Sequence, residues 1–261
     1  MSRPLAGLKV GVFGLGEAGR EIAGGLVAAG AEVTGFDPAP VVEPAGVQRA
    51  PTPEDAVRRA DLVMAVTPSA DSLDALEQAF EALPADVVYA DLATSAPARK
   101  RELAQRCGDR VAFVDVALMT NAPGRGLMIP SLACGPGAIR YANVLRPAGL
   151  PLDVVDGPVG AAATRKLVRS VAIKGIAAAV IESLDAAAAA DIEAEIWRVL
   201  ADEFTAMDES FVRRLVEGTP VHAERRFHEM EAARDLLVEL GIEPVVTAGT
   251  VSHLGRMRKN G

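Results

Sequence analysis

Leu8 to Phe13 is an apolar, β-branched run that stops at Gly14, the pattern of a strand buried on both faces of a sheet. Residues 18–29 follow with Ile22, Leu26 and Val27 at helical spacing and a stop at Gly30. Ala31 to Phe36 predicts a second strand, which Asp37-Pro38 ends. The alternation recurs as strand 61–66, helix around 69–83, strand 86–92, helix 97–107 and strand 110–118. A strand near 128–134, a helix over 138–145 and a strand at 152–155 complete it. Strands and helices in this order predict an α/β fold, a parallel sheet with helices on both faces.

Beyond Gly157 the pattern becomes helical. Residues 161 to about 190 read as one alanine-rich helix, followed by helices near 192–216, 221–240 and 247–259. Only 243–246 remains as a short strand candidate. The helix at 221–240 is punctuated by Thr219 as cap, Pro220 at the first helical position and Gly241 past the end. The expected domains are therefore 1–157, built around the sheet, and 158–261, all-helical. The long helix is apolar or small on nearly every side and calls for burial all round. A helical tail of about 100 residues offers little core to cover it. A homodimer through the C-terminal helices is expected.

Composition acts mainly by exclusion. The 261 residues carry a net charge of −8 and no extended basic run, which removes nucleic acid and anionic membrane as partners. The most apolar late stretch, 171–190, is interrupted by Lys174, Glu182 and Asp185, so no membrane span is expected. The start runs straight into a glycine-rich turn, unlike a cleavable signal peptide, and a cytoplasmic protein is expected. Cys107 and Cys134 stand apart from each other and from the scattered His222, His228 and His253, so no metal site is expected. Aromatics are 4%, which leaves Ala, Val and Leu to fill the core.

Gly14, Leu15, Gly16, Glu17, Ala18 and Gly19 form GxGxxG directly between a strand and a helix, which predicts a Rossmann-type dinucleotide site. Glycine permits the turn at 14, close approach of backbone to pyrophosphate at 16, and helix–strand packing at 19. Asp37 lies 23 positions after Gly14, where a carboxylate bonds ribose hydroxyls and repels a 2′-phosphate. The next arginine is Arg49, so NAD is expected over NADP, with NADP still possible. Thr67-Pro68-Ser69 and Thr94-Ser95 end later strands on the ligand-binding rim, where Thr67, Pro68 and Thr94 are candidate cofactor contacts. The same residues also serve as ordinary helix caps.

Asp91-Leu-Ala-Thr94-Ser-Ala-Pro97 and Gly157-Pro-Val-Gly160-Ala-Ala-Ala-Thr-Arg-Lys166-Leu-Val-Arg-Ser170 resemble segments of the β-hydroxyacid dehydrogenase and 6-phosphogluconate dehydrogenase superfamily. Residues 115–119 through 131–137, 163–175 and 222–230 are similar to a poorly characterised branch with a phosphogluconate-dehydrogenase-like C-terminal domain. The resemblance implies an NAD(P)-dependent oxidoreductase that interconverts a hydroxyl and a carbonyl on a small, anionic substrate. It implies Lys166 as proton donor and acceptor, a role suited to a lysine whose pKa is lowered by partial burial and by Arg165 and Arg169. Two departures stand out. Met119-Thr120-Asn121 replaces the superfamily's Ser-Gly-Gly substrate loop, and Ser170 replaces the asparagine four residues after the lysine.

Met119, Thr120, Asn121, Ser170 and Lys174 are candidate substrate contacts. His222 and Arg226 share a helix face with Glu229 and are candidates for an anion clamp, against the alternative of a polar face laced with ion pairs. Two other functions stay open. One is imine reduction, performed by related proteins that generally lack this lysine; the other is a sensor that binds dinucleotide without turnover.

Overall fold

The computed structural model describes residues 3–258. The chain divides into two compact units, Met1–Arg169 and Ser170–Gly261, so the division falls inside the long helix rather than at Gly157. The first unit is built on an eight-stranded sheet of order β3-β2-β1-β4-β5-β6-β7-β8. Its strands are β1 (Lys9–Phe13), β2 (Glu32–Phe36), β3 (Val47–Arg49), β4 (Leu62–Ala65), β5 (Val88–Asp91), β6 (Ala112–Leu118), β7 (Ser131–Cys134) and β8 (Leu152–Val154). Helices α1 (Glu17–Ala28), α2 (Pro53–Val57), α3 (Ser72–Ala79), α4 (Pro97–Cys107) and α5 (Ala138–Leu145) connect them. The order reverses between β1 and β4, and a doubly wound sheet opens its ligand crevice at that switch point.

Side chains alternate across the sheet. Val10, Val12, Met64, Ala90 and Val114 face one core with Leu26 and Tyr141. Phe13, Val63, Tyr89 and Phe113 face the other with Leu76 and Leu103. Gly11 lies between them because a Cβ there would meet the Ala56 carbonyl oxygen at 2.6 Å, so only glycine lets α2 approach β1 this closely.

Two features of this unit depart from the sequence reading. The strand expected at 128–134 forms only over Ser131–Cys134, and it runs antiparallel to β6, pairing Asp115 with Cys134. No helix crosses over between β6 and β7, and an antiparallel neighbour is what such a return allows. Edge strand β3 and short helix α2 lie in the stretch left unassigned. Three partly exposed strand residues carry no alternation, although Thr52, which accepts from the Asp55 N–H at 3.2 Å, is a legible cap.

Helix α6 (Ala161–Ala189) is as long as expected. The second unit continues with α7 (Glu193–Thr205), α8 (Glu209–Val221), α9 (Ala223–Glu239) and α10 (Val245–Arg258). The single helix expected over 192–216 is thus two, broken where Asp208 accepts from the Phe211 N–H at 2.8 Å and starts α8. Thr219 and Pro220 do not open a helix. Pro220 lies one residue from the end of α8, where its missing N–H removes one bond of the last turn, and His222 is the hinge to α9.

The strand candidate at 243–246 is not formed. Glu182 instead accepts from the Val246 N–H (2.7 Å), Thr247 N–H (2.8 Å) and Thr247 hydroxyl (2.6 Å), and so caps α10. Burial acts to raise the Glu182 pKa, but the hydrogen bonds from Thr247 and Val246 outweigh it and hold the carboxyl below its ordinary value. The far end expected for this helix, Lys259, lies outside the described residues. Among the described residues no helix is long and apolar enough to cross a membrane. Large apolar side chains stay exposed along α6 to α8, among them Val171 (76%), Ile181 (60%), Trp197 (61%) and Val216 (67%).

Candidate functional site

A cleft of about 950 Å³ opens at the carboxyl ends of the strands, within the first unit. Gly14, with φ +82°, turns the chain out of β1; a Cβ there would meet the Val66 carbonyl oxygen at 2.5 Å. At Gly19 a Cβ would meet the Gly14 carbonyl oxygen at 1.9 Å, so this glycine lets α1 start against the turn. Gly16 differs: nothing stands within 4 Å of where its Cβ would be. The first amide bonded inside α1 is Arg20, to Gly16, which leaves the amides of Glu17, Ala18 and Gly19 at the helix start for an anion. The Thr67 hydroxyl on the cleft wall is buried without a hydrogen bond among the described residues. Open space, unengaged amides and an orphaned hydroxyl fit a dinucleotide whose pyrophosphate occupies the face of Gly16.

Asp37, half-buried at the end of β2, accepts from the Leu15 N–H (2.7 Å) and the Ala39 N–H (2.8 Å). The Leu15 side chain itself is fully buried, so this residue serves the site only through its backbone. Arg49, distant in sequence, folds back to the same corner. Its Nη2 donates to the carbonyl oxygens of Asp37 (2.8 Å) and Ala39 (2.9 Å), and its Nη1 to that of Val41 (3.2 Å) and to Glu43. The Arg49 guanidinium holds the Glu43 carboxyl below its usual range. An arginine does reach the ribose corner, but both its terminal nitrogens are engaged and its charge is matched.

On the other wall, Lys166 is half-buried and donates from Nζ to Thr94 Oγ1 at 2.7 Å. Both residues line the cleft, as do Gly14, Gly16, Asp37, Thr67 and Pro68. Arg165 is turned back onto the carbonyl oxygens of Ala161 (3.0 Å) and Asp156 (3.3 Å).

Beneath this pair lies a buried charge cluster. Lys100 Nζ donates to the Asp91 carbonyl oxygen at 2.8 Å, sits 2.7 Å from Asp91 Oδ2 and 3.3 Å from Asp115 Oδ1, and all three side chains are 1% exposed or less. The second oxygen of Asp115 accepts from Gly160 N–H and Ala163 N–H, each at 3.1 Å, and from the Cys134 thiol at 3.4 Å. Asp115 therefore pins the first turn of α6, one turn before Lys166, while Asp91 lies three residues before Thr94. Burial pushes the Asp91 carboxyl up, the Lys100 ammonium pulls it down, and Asp115 adds to the rise; the net direction is up. The sequence reading passed over this cluster. Lys100 stands between Arg99 and Arg101, and such a run reads as a solvated helix face.

Thr120 and Asn121 line the cleft, whereas Met119 packs against the small cluster of Ala117, Cys134 and Ala162. Ser170 and Lys174 fall in the second unit, half-buried and exposed respectively. Arg226 lines a separate groove in that unit with Glu229, while exposed His222 is the hinge between helices rather than a member of the face.

Residues 9–119 match the family described as the NAD binding domain of 6-phosphogluconate dehydrogenase, and residues 187–256 match the domain of unknown function DUF1932. Both parts of the resemblance read from the sequence are borne out. An uncharacterized 28.5 kDa protein of Methanothermus fervidus is 22% identical over 193 residues, 74% of each chain. A conserved protein of unknown function, whose structure was described as similar to 3-hydroxyacid dehydrogenases, is 26% identical. That match covers 97% of both chains with a TM-score of 0.59. An imine reductase from Myxococcus stipitatus in complex with NADP+ shares the fold at 18% identity, with a TM-score of 0.80 over 97% of this chain and 95% of its own. The N-terminal half is an NAD(P)-binding domain on a dehydrogenase-like fold.

Removing one partner of a buried charge cluster leaves the others uncompensated, at about 3–5 kcal/mol. Lys100→Met is expected to lose stability on that scale in urea denaturation near neutral pH. The buried carboxylates, left without their cation, would then have folded-state pKa values above those of the unfolded chain. The deficit should therefore be full above those values and close as the pH falls toward the ordinary carboxylate range. A pH-independent deficit would show that Lys100 acts only through packing.

Proposed function

We propose that the protein is an NAD-dependent oxidoreductase that interconverts a hydroxyl and a carbonyl on a small anionic substrate, with Lys166 as proton donor and acceptor. The observation that carries this reading is Lys166 Nζ, held 2.7 Å from Thr94 Oγ1 on the wall of the cleft that the glycine turn opens. A nicotinamide cofactor, when bound, accepts or supplies the hydride. The Gly14–Gly19 turn and the first amides of α1 would hold its pyrophosphate, and Asp37 its ribose hydroxyls.

Lys166 has the remaining task. In the oxidising direction its neutral amine takes the proton of the substrate hydroxyl, and in the reducing direction the ammonium returns it to the carbonyl oxygen. Thr94 orients the amine by accepting one hydrogen bond. It can donate its own hydroxyl proton to the substrate oxygen. Such a base contributes about 10²–10⁴-fold to the rate. The carboxylate of Asp37 supports the preference for NAD, because Arg49 has its charge matched by Glu43 and leaves none for a 2′-phosphate.

We further propose that a second copy covers the exposed apolar side chains of α6 to α8, since so many large apolar side chains left exposed on successive helices suit an interface. Sedimentation at micromolar concentration is expected to give a dimer; a monomer would remove this proposal.

Lys166→Ala is expected to lose turnover of a hydroxyacid panel by about 10²-fold or more while its NADH affinity, read by fluorescence titration, stays near that of the wild type. Wild-type turnover in the variant would remove the lysine's role. In the same titration NADH is expected to bind more tightly than NADPH, and the reverse order would remove Asp37 as the selecting group.

A further inference from the structure

The C-terminal unit carries a groove of its own, about 640 Å³, between the end of α8, helix α9 and helix α10. Arg225, Arg226, Glu229 and His253 give it charge and donors, and Met230, Val246 and Leu254 give it an apolar floor. Arg225 is matched by Glu229 at 2.5 Å. Half-buried Arg226 is not matched: its Nη1 donates to the neutral Thr219 Oγ1 at 2.9 Å, and no carboxylate among the described residues pairs with it. The lining is therefore left with one net positive charge beside an apolar surface.

His253 adds a directed donor. Arg256 Nη2 lies 3.1 Å from its Nδ1, and a guanidinium has only donors, so Nδ1 accepts and the ring proton sits on Nε2. Guanidinium and imidazole N–H are the two groups that fix a planar carboxylate, and the floor suits a hydrocarbon body.

We propose that this groove binds a small monocarboxylate, its oxygens on Arg226 and His253 and its apolar body over Met230, Val246 and Leu254. One unmatched charge suits a monoanion rather than a phosphate dianion. The site is separate from the cleft of the proposed function, which lies in the first unit. It stands on the C-terminal unit alone and is tested by binding, without turnover or cofactor.

The test is calorimetric titration of the full chain with butanoate, hexanoate and octanoate, with 1-hexanol and inorganic phosphate as controls. Hexanoate is expected to bind once per chain, about tenfold or more above hexanol and phosphate, with affinity rising with chain length. Arg226→Gln should weaken it by about tenfold and leave NADH affinity unchanged. Gly249 supplies a second variant. It lies on the groove wall in α10 with nothing within 4 Å of its Cβ position, so Gly249→Leu keeps the helix and fills the groove. This variant should abolish hexanoate binding at unchanged melting temperature. No binding by the wild type, equal binding by both variants, or phosphate bound more tightly than hexanoate would each overturn the proposal. Loss of NADH binding by the wild type would instead count against the cofactor reading alone.

Discussion

A single buried ammonium holds the candidate site together. Lys100 sits between the carboxylates of Asp91 and Asp115, paired across adjacent strands, and without it two negative charges would face each other in a water-free interior. The consequences run outward in two directions. Asp91 precedes the turn that presents Thr94, and Asp115 takes two amides from the start of α6, so Lys166 inherits its position from the same three charges. Gly160 makes this approach possible, since a Cβ there would meet Pro97 at 2.9 Å. A cluster of this kind contributes little net stability against an apolar substitute, yet it fixes geometry, and geometry is what a proton-transferring lysine needs.

The glycine turn shows the opposite logic. Gly14 and Gly19 are required by the protein's own backbone, while Gly16 is crowded by nothing in the protein. A glycine that the fold does not need, at the positive end of a helix, is accounted for by a ligand. Asp37 and the engaged Arg49 then set the charge of the next corner, so the choice of nucleotide rests on which of two opposite charges remains unmatched.

Much of this was legible in the sequence because local signals and tertiary roles coincide. The apolar runs at 8–13, 61–66 and 86–92 are strands buried on both faces, and Gly14 to Gly19 follows the first of them directly. Legibility failed where the deciding contact is distant. Lys100 looks like a surface residue among arginines, Arg49 reaches Asp37 only by folding back, and Glu182 caps a helix 63 positions later at Val245. Thr219-Pro220 carries good helix-start chemistry and was overridden, because α8 runs through it before the chain turns at His222. The antiparallel β7 is a topological choice that an apolar strand pattern does not record.

The account stands on a dinucleotide lying against the open face of Gly16. Gly16→Val fills that face without touching the protein's own packing, and the extended backbone there accepts a β-branched residue. Fluorescence titration with NADH should give saturable binding to the wild type and affinity about 100-fold weaker for Gly16→Val, at the same melting temperature. Equal affinity in the two proteins, or none in the wild type, would contradict it.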